Sequence, residues 1–180
     1  MYEVSTTIRA LVMLSDILPT GFEYGVLNGR VKPGDTVAIF GAGPIGMAAL
    51  LTARFYTPAE IIMIDTDQNR LGVAKTFGAT QIINSENENV IERMNALTDN
   101  KGIDVAIEAV GVHCKSVSLH LETLWSKNIT ITTRLVDTVT TPMLFKTVRS
   151  GKLQPQKLIT HRFRLDQIIE AYNTFRSCGN

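Results

Sequence analysis

The sequence predicts an α/β fold of the Rossmann type, with a doubly wound parallel sheet. Short segments that are almost continuously apolar alternate with segments of helical periodicity, and the turns between them are short. Continuous apolar runs suit strands that are buried on both faces of a parallel sheet. A Gly-x-Gly-x-x-Gly pattern follows the first apolar run, at the place where a doubly wound sheet binds a nucleotide. The length of 180 residues supports one main domain.

The predicted elements follow one another in strand–helix order. Helical patterns end near Gly78 and Gly102, and glycine suits the positive φ of a helix C-cap. Five segments are predicted strands, namely 36–40, 61–65, 80–83, 104–110 and 129–133, and the helical patterns between them cover 46–56, 67–78 and 87–102.

Composition excludes several functional classes. The formal net charge is +1 and the basic residues are scattered, so no nucleic-acid or membrane-surface partner is expected. No apolar run approaches the roughly 20 residues that span a bilayer, and we recognise no signal peptide. The only two cysteines, Cys114 and Cys178, form no disulfide framework or metal motif, which predicts reduced thiols and a cytoplasmic location.

The glycine pattern is placed where a dinucleotide-binding turn requires it, between a buried strand and a helix. Gly41 would make the tight turn, Gly43 would let the backbone approach a pyrophosphate, and Gly46 would let the helix pack on the strand. Pro44 and Ile45 open the helix, whose N-terminal amides and dipole favour phosphate. A glycine turn that binds no ligand is the alternative.

An acidic residue completes the pattern at the end of the second strand. Asp65 stands 19 residues after Gly46, where a carboxylate can accept hydrogen bonds from both ribose hydroxyls of an adenosine. It would repel a 2′-phosphate, which favours NAD over NADP. A turn or helix-capping role is the alternative for Asp65, although Asp67 suits the cap better. Arg70 would lie along the adenine or on an exposed helix face.

Residues 29–80, from "GRVKPGDTVAIFGAGPIG" through "IDTDQNRL" to "TFGAT", resemble the cofactor-binding domain of zinc-dependent medium-chain alcohol dehydrogenases. The flanking stretches 12–27 and 150–175 resemble the segments that leave and rejoin the family's catalytic domain. The resemblance implies hydride transfer between NAD and an alcohol or ketone, of secondary or medium-chain type, with Val110 among the cofactor contacts. It divides the chain into a catalytic-domain remnant with a lead-in helix (1–20), an NAD-binding domain (21–150) and a returning segment (151–180).

The same resemblance makes zinc doubtful in this chain. Asp16 matches one ligand of the family's catalytic zinc, and Thr20 matches a residue near the nicotinamide. Asp16 would serve equally as the N-cap of the following helix. The family's other ligands are absent from these residues, and no histidine (His113, His120 or His161) has a ligand spacing that replaces them. The chain alone is therefore expected to be inactive.

The resemblance also implies an internal deletion after residue 112. The 18 residues from Gly111 to Asn128 hold one crossover but not two crossovers and a strand. One strand and one helix of the family are expected to be missing, which would weaken the nicotinamide half of the site. In the family, the strand that matches 129–133 pairs with its twin, so a homodimer through 129–133 is expected.

Two other classes of function remain open at this point. One is a nucleotide-binding module without chemistry. The other is a different Rossmann enzyme, such as a methyltransferase, in which Asp65 would hold the ribose of another adenosine ligand.

Overall fold

One parallel sheet of four strands forms the centre of the molecule. The computed structural model describes residues 11–111, 120–124 and 126–177. The strand order is β3-β2-β1-β4, and every pair is parallel, which confirms the predicted fold class. The strands are Thr36–Phe40 (β1), Glu60–Asp65 (β2), Gln81–Asn84 (β3) and Val105–Glu108 (β4).

Helices cover the sheet and carry both ends of the described chain. The first, α1 (Ile17–Pro19), continues as a π-helical segment, Thr20–Leu27, and the two together are called the lead-in helix. Short 3₁₀ turns lie at Arg54–Tyr56, Pro155–Leu158 and Leu165–Gln167. In the described part, no helix is long and apolar enough to span a membrane. The remaining helices are α2 (Pro44–Ala53), α3 (Gln68–Phe77), α4 (Val90–Leu97), α5 (Leu121–Leu124), α6 (Thr141–Arg149) and α7 (Ile168–Ser177).

The sheet buries apolar side chains on both faces, as continuous apolar strands require. On one face, Val37 and Ile39 of β1 pack in a cluster with the lead-in helix, α2 and α3. On the other face, Ala38 of β1 and Ile62 of β2 pack against side chains of α4. The helices that follow β1 and β2 therefore lie opposite the helix that follows β3, which is the doubly wound arrangement.

The lead-in helix packs directly on α2 because a glycine lies at their contact. A Cβ atom built on Gly21 would lie 2.6 Å from the backbone nitrogen of Ala49 and 2.7 Å from the Cβ of Ala48. Real Cβ atoms do not approach other atoms so closely. The absence of a side chain at position 21 thus sets the spacing of these two helices.

Helix capping agrees with the sequence prediction at both ends of α3 but not at the C-terminal end of α4. The Asp67 carboxylate accepts hydrogen bonds from the amides of Asn69 (2.8 Å) and Arg70 (3.3 Å), which confirms its predicted role as a cap. Gly78 ends α3 with a φ of +109°, also as predicted. Gly102 has a φ of +82° but lies beyond α4, which already ends at Leu97.

The predicted strand 129–133 is wrong for the single chain. These residues form no regular secondary structure and are exposed. A strand needs a neighbour for its N–H and C=O groups, and this segment pairs with no described strand. Instead, the Asn28 side-chain amide donates to the Thr132 hydroxyl at 2.7 Å, which ties the segment to the end of the lead-in helix.

A buried carboxylate joins the lead-in helix to the start of α6. Glu23 is only 6% exposed. It accepts hydrogen bonds from the amides of Asp137 (3.2 Å) and Thr138 (3.1 Å), and from both the amide and the hydroxyl of Thr140 (2.7 Å each). Burial raises the pKa of Glu23, but these hydrogen bonds lower it by more, so the net pKa is below 4.5. The ionised form is the one that stabilises this junction.

Because the pKa of Glu23 is lower in the folded chain, its stabilising contribution is complete above pH 4.5 and is lost as the pH falls through the lower folded value. We expect Glu23→Gln to reduce the free energy of unfolding at pH 7 by about 1–3 kcal/mol. The variant should also lose part of the acid dependence of stability. Urea unfolding at pH 7, 5 and 3.5 measures both effects.

The control is Glu86→Gln, which changes a carboxylate on an exposed residue. It should leave the unfolding curve unchanged at all three pH values. Equal stability of Glu23→Gln and the parent chain at pH 7 would contradict the role given to Glu23.

Candidate functional site

The carboxyl ends of β1 and β4 lie side by side at the point where the strand order reverses. Phe40, the last residue of β1, pairs with Glu108, the last residue of β4. The loop 41–43 leaves β1 here, and the loop 109–111 leaves β4 beside it. In open α/β sheets, ligands bind outside the carboxyl ends of the strands at such a point.

Gly41 brings these two loops into contact. Its φ is +99°, and its amide donates to the Ile64 carbonyl at 2.7 Å. A Cβ atom at this position would lie 2.9 Å from the Ala109 carbonyl oxygen and 3.1 Å from the Val110 nitrogen. Both the backbone conformation and the space therefore require glycine.

Gly43 leaves an open position in front of helix α2. Its backbone is extended (φ −74°, ψ −178°), and it is the N-cap residue of α2 without a side chain to cap the amides. A Cβ atom built there would meet nothing within 4 Å. Pro44 follows at the first helical turn, and both Pro44 and Ile45 are exposed. The first amides of α2 thus face open space on this side.

Gly46 permits the closest approach in this turn. A Cβ atom at this position would lie 1.8 Å from the Gly41 carbonyl oxygen and 3.6 Å from the Ala109 Cβ. The first clash is with backbone, which cannot move aside without displacing the turn. The third glycine of the pattern therefore packs the start of α2 against the loop, as the sequence predicted.

Asp65 lies at the end of β2 and binds the glycine turn through backbone groups. One carboxylate oxygen accepts a hydrogen bond from the Ala42 amide, and the other accepts one from the Asp67 amide at 2.8 Å. The residue is half-buried. These contacts place a carboxylate beside the turn after β1, which is the position that the sequence predicted for a ribose-binding acid.

Arg70 is held on its own helix. Its Nε lies 3.5 Å from a carboxylate oxygen of Asp67, one turn earlier in the chain. The structure therefore places its guanidinium near Asp67, at the start of α3.

Glu108 is a candidate site residue that the sequence analysis missed. Its carboxylate accepts hydrogen bonds from the amides of Val110 (2.7 Å) and Gly111 (3.3 Å) and so shapes the loop after β4. Val110 is 57% exposed at this loop. The available signal was an acid directly after the apolar residues of the fourth strand. This position lies beside the end of β1.

Asp16 and Thr20 lie next to each other at the start of the lead-in helix. The Thr20 hydroxyl donates to a carboxylate oxygen of Asp16 at 2.7 Å. Asp16 occupies the N-cap position of α1, but its side chain makes no capping hydrogen bond. The structure thus brings the two residues together through a side-chain contact, and the N-cap alternative is not observed.

The residues that the structure describes do not provide a zinc site. Within residues 11–111, 120–124 and 126–177, no group of three or more His, Cys, Asp or Glu side chains could hold a metal. His120 pairs with Glu122 at 2.9 Å, and His161 contacts the Thr160 hydroxyl at 2.9 Å. His113, Cys114 and Cys178 lie outside the described residues. Zinc sites use at least three protein ligands, and the described residues do not supply such a group by themselves.

Comparison with known proteins shows a similarity to dehydrogenases. The model of the family described as "Zinc-binding dehydrogenase" matches residues 44–124. An alcohol dehydrogenase from Cupriavidus necator is 31% identical over 195 residues, which cover 94% of this chain and 53% of that protein. Over most of its length, the chain is therefore similar to zinc-binding dehydrogenases. An L-threonine 3-dehydrogenase from Bacillus licheniformis is 30% identical over 183 residues. This alignment covers 87% of this chain and 53% of that protein.

Solved structures agree with this similarity. The apo form of zinc dependent alcohol dehydrogenase 2 from Streptococcus pneumonia is 49% identical and superposes with a TM-score of 0.88. The match covers 94% of this chain and 55% of the Streptococcus chain. The alcohol dehydrogenase TADH from Thermus sp. ATN1 is 28% identical, also with a TM-score of 0.88. This match covers 93% of this chain and 56% of the Thermus chain. This chain corresponds to the NAD-binding part of such dehydrogenases, as the resemblance implied.

The chain spans about half the length of the curated relatives that it matches. The alignment with the Cupriavidus protein extends over 195 residues, whereas 94% of these 180 residues is about 169. About 26 positions of that relative therefore have no counterpart here. One strand and one helix with their turns have this size, so the number of unmatched positions agrees in size with the expected internal deletion.

Gly46→Ala tests the close packing of the turn. We expect a loss of about 3 kcal/mol or more in the free energy of unfolding, because the added methyl group overlaps the Gly41 carbonyl. Thermal or urea unfolding measures it. Gly72→Ala is the matched control, since this helical glycine is exposed with nothing within 4 Å of a Cβ. The control should gain about 0.5–1 kcal/mol, and similar stabilities of the two variants would refute the packing argument.

Proposed function

We propose that this chain binds NAD, in preference to NADP, at the carboxyl ends of β1 and β4. The observation that carries the proposal is the position of Asp65, whose carboxylate is anchored beside the Gly41–Gly46 turn. Bound NAD supplies the hydride acceptor of alcohol oxidation. The residues of this chain supply binding and orientation.

The pyrophosphate would lie against Gly43 and the N-terminus of α2. The space next to Gly43 is open, so the phosphate oxygens can reach the backbone. The start of this ten-residue helix, where Pro44 and Ile45 are exposed, would offer N–H groups and the positive end of its dipole. A side chain at position 43 would occupy the space that the phosphates need.

The adenosine ribose would lie against Asp65. Two ionised carboxylate oxygens offer about four acceptor positions, and the Ala42 and Asp67 amides use one on each oxygen. One position on each oxygen remains for the two ribose hydroxyls. A 2′-phosphate would place a second anion next to this carboxylate, which supports a preference for NAD.

The family alone does not decide between the two cofactors. An NADP-dependent isopropanol dehydrogenase from Entamoeba histolytica is 36% identical to this chain over 100 residues. The choice must therefore come from individual side chains, and here Asp65 is the charged group at the turn.

Other residues complete the proposed site. Exposed Ile45 and Val110 would contact the cofactor from α2 and from the loop after β4. Arg70 would lie along the adenine if its side chain moved from Asp67. Thr20 would lie near the nicotinamide, on the lead-in helix.

Calorimetric titration with NAD and NADP tests the site. The parent chain should bind NAD more tightly. Asp65→Asn should reduce the NAD-to-NADP affinity ratio about tenfold or more, because it removes charged hydrogen bonds and the repulsion of a 2′-phosphate. Equal or tighter binding of NADP by the parent chain would disprove the role of Asp65.

Gly43→Ala serves as a second probe of the same site. It should retain the stability of the parent chain, since nothing surrounds its Cβ, yet it should bind NAD at least tenfold more weakly. Gly72→Ala should bind like the parent chain. Unchanged NAD affinity in Gly43→Ala would exclude the pyrophosphate position.

We further propose that the full-length activity of this lineage is hydride transfer between NAD and a secondary or medium-chain alcohol or ketone. The support is the family and the alcohol dehydrogenases to which the chain is similar. The described residues do not hold zinc. A second candidate function is a nucleotide-binding module without chemistry, which would use the same glycine turn and Asp65.

The chain alone should not oxidise alcohols. Catalysis requires an alcohol oxygen on zinc and its carbon beside the nicotinamide at the same time. Purified chain with zinc, NAD and a panel of primary and secondary alcohols should give no NADH absorbance above a zinc-free control. Turnover that Asp16→Ala abolishes would show instead that this chain is a compact enzyme.

The proposed organisation follows the family. We propose a catalytic-domain remnant and lead-in helix in 1–20, the NAD-binding domain in 21–150 and a returning segment in 151–180. The cysteine usage supports a cytoplasmic location. The exposed Ile129 and Ile131 support self-association to a homodimer through residues 129–133.

A further inference from the structure

We propose that Glu108 is a positioning residue for the half of the dinucleotide that lies beyond the pyrophosphate, on the β4 side of the glycine turn. The inference rests on the proposed NAD site and deepens it. Glu108 acts through the loop 109–111, whose backbone it holds, and not by contact with the cofactor.

The strand order places the two halves of a dinucleotide on opposite sides of β1. One neighbour of β1 is β2, which ends at Asp65, and the other is β4, which ends at Glu108. A dinucleotide bridges such a switch point. With its adenosine ribose at Asp65 and its pyrophosphate at Gly43, the cofactor extends its second nucleoside towards the end of β4. The backbone that leaves β4 there is the loop 109–111.

The base of this loop is fixed by backbone contacts. The Ala109 amide donates to the Phe40 carbonyl at 2.8 Å, which continues the pairing of β1 with β4. The Ala109 carbonyl oxygen packs against Gly41, where a Cβ atom would lie 2.9 Å from it. Neither contact involves the Glu108 side chain. Removal of that side chain should therefore leave the glycine turn in place.

The outer part of the loop is held by the Glu108 carboxylate. One carboxylate oxygen accepts hydrogen bonds from two successive amides, that of Val110 at 2.7 Å and that of Gly111 at 3.3 Å. Gly111 has a φ of +64°, which glycine adopts more readily than other residues. Two amides that converge on one anion fix both residues. Glu108 thus determines where the exposed Val110 lies relative to the glycine turn.

A preformed loop binds a ligand more tightly than a loop that must become ordered on binding. Without the carboxylate, the Val110 and Gly111 amides would lose this common acceptor and the loop would be less fixed. The cost would fall on the second nucleoside, because the proposed contacts of the adenosine and the pyrophosphate come from Asp65, Gly43 and α2. ADP carries only the adenosine and the pyrophosphate, so a comparison of ADP with NAD isolates the contribution of the loop.

Calorimetric titration of the full chain with NAD and with ADP tests the proposal. Glu108→Ala should bind NAD about tenfold more weakly than the parent chain, and ADP with the same affinity. Glu108→Gln keeps an oxygen that can accept both hydrogen bonds, so its NAD affinity should lie within about threefold of the parent value. Glu92→Ala is the control, since it removes an exposed carboxylate from α4 and should change neither affinity. Circular dichroism and thermal unfolding establish that each variant is folded.

Three results would overturn the inference and leave the cofactor proposal standing. Unchanged NAD affinity in Glu108→Ala would show that the loop does not contribute to binding. Equal losses for NAD and ADP would show a general effect on the glycine turn. A Glu108→Gln variant as weak as Glu108→Ala would show that the charge matters and the position of the loop does not. A parent chain that does not bind NAD would refute the cofactor proposal itself, and this inference with it.

Discussion

The structure depends on one close contact between backbone segments, where α2 begins only a van der Waals distance from the turn that leaves β1. Position 46 has no room for a side chain, since a Cβ there would overlap the Gly41 carbonyl oxygen at 1.8 Å. This contact directs the N-terminus of α2 towards the carboxyl ends of β1 and β4 and keeps Gly41 against the loop after β4. The Ala42 amide is thereby brought to Asp65. The geometry of the candidate cofactor site thus follows from the packing of a strand on a helix.

A second constraint acts at the opposite side of the core, where Glu23 holds a distant part of the chain. A buried carboxylate is costly without partners, and Glu23 obtains them from three residues more than 110 positions later. The lead-in helix is thereby joined to α6. Because the lead-in helix also packs on α2 through Gly21, Glu23 connects the start of α6 to the same assembly that carries the glycine turn.

The candidate site has the features that bind an adenine dinucleotide, whereas its described residues lack a group of metal ligands. The glycine turn, the N-terminus of α2 and Asp65 meet at one edge of the sheet. In contrast, the Asp16 carboxylate contacts the Thr20 hydroxyl and, among the described residues, belongs to no group of three or more possible metal ligands. The comparisons are consistent with this difference, because the chain spans about half the length of its curated relatives.

The sequence by itself predicted four strands (36–40, 61–65, 80–83 and 104–110) in a parallel sheet, the turn at Gly41 and the helix caps at Asp67 and Gly78, because each depends on local spacing, backbone conformation or continuous burial. It also predicted Asp65 at the end of β2. The tertiary structure decided what depends on distant partners. Residues 129–133 have the composition of a strand, yet no described strand is placed beside them, so they remain exposed and irregular. Glu23 gave no local signal, because it is stabilised by residues far along the chain. Glu108 gave only the signal of an acid after an apolar strand, and the loop that it shapes becomes important only when β4 lies next to β1.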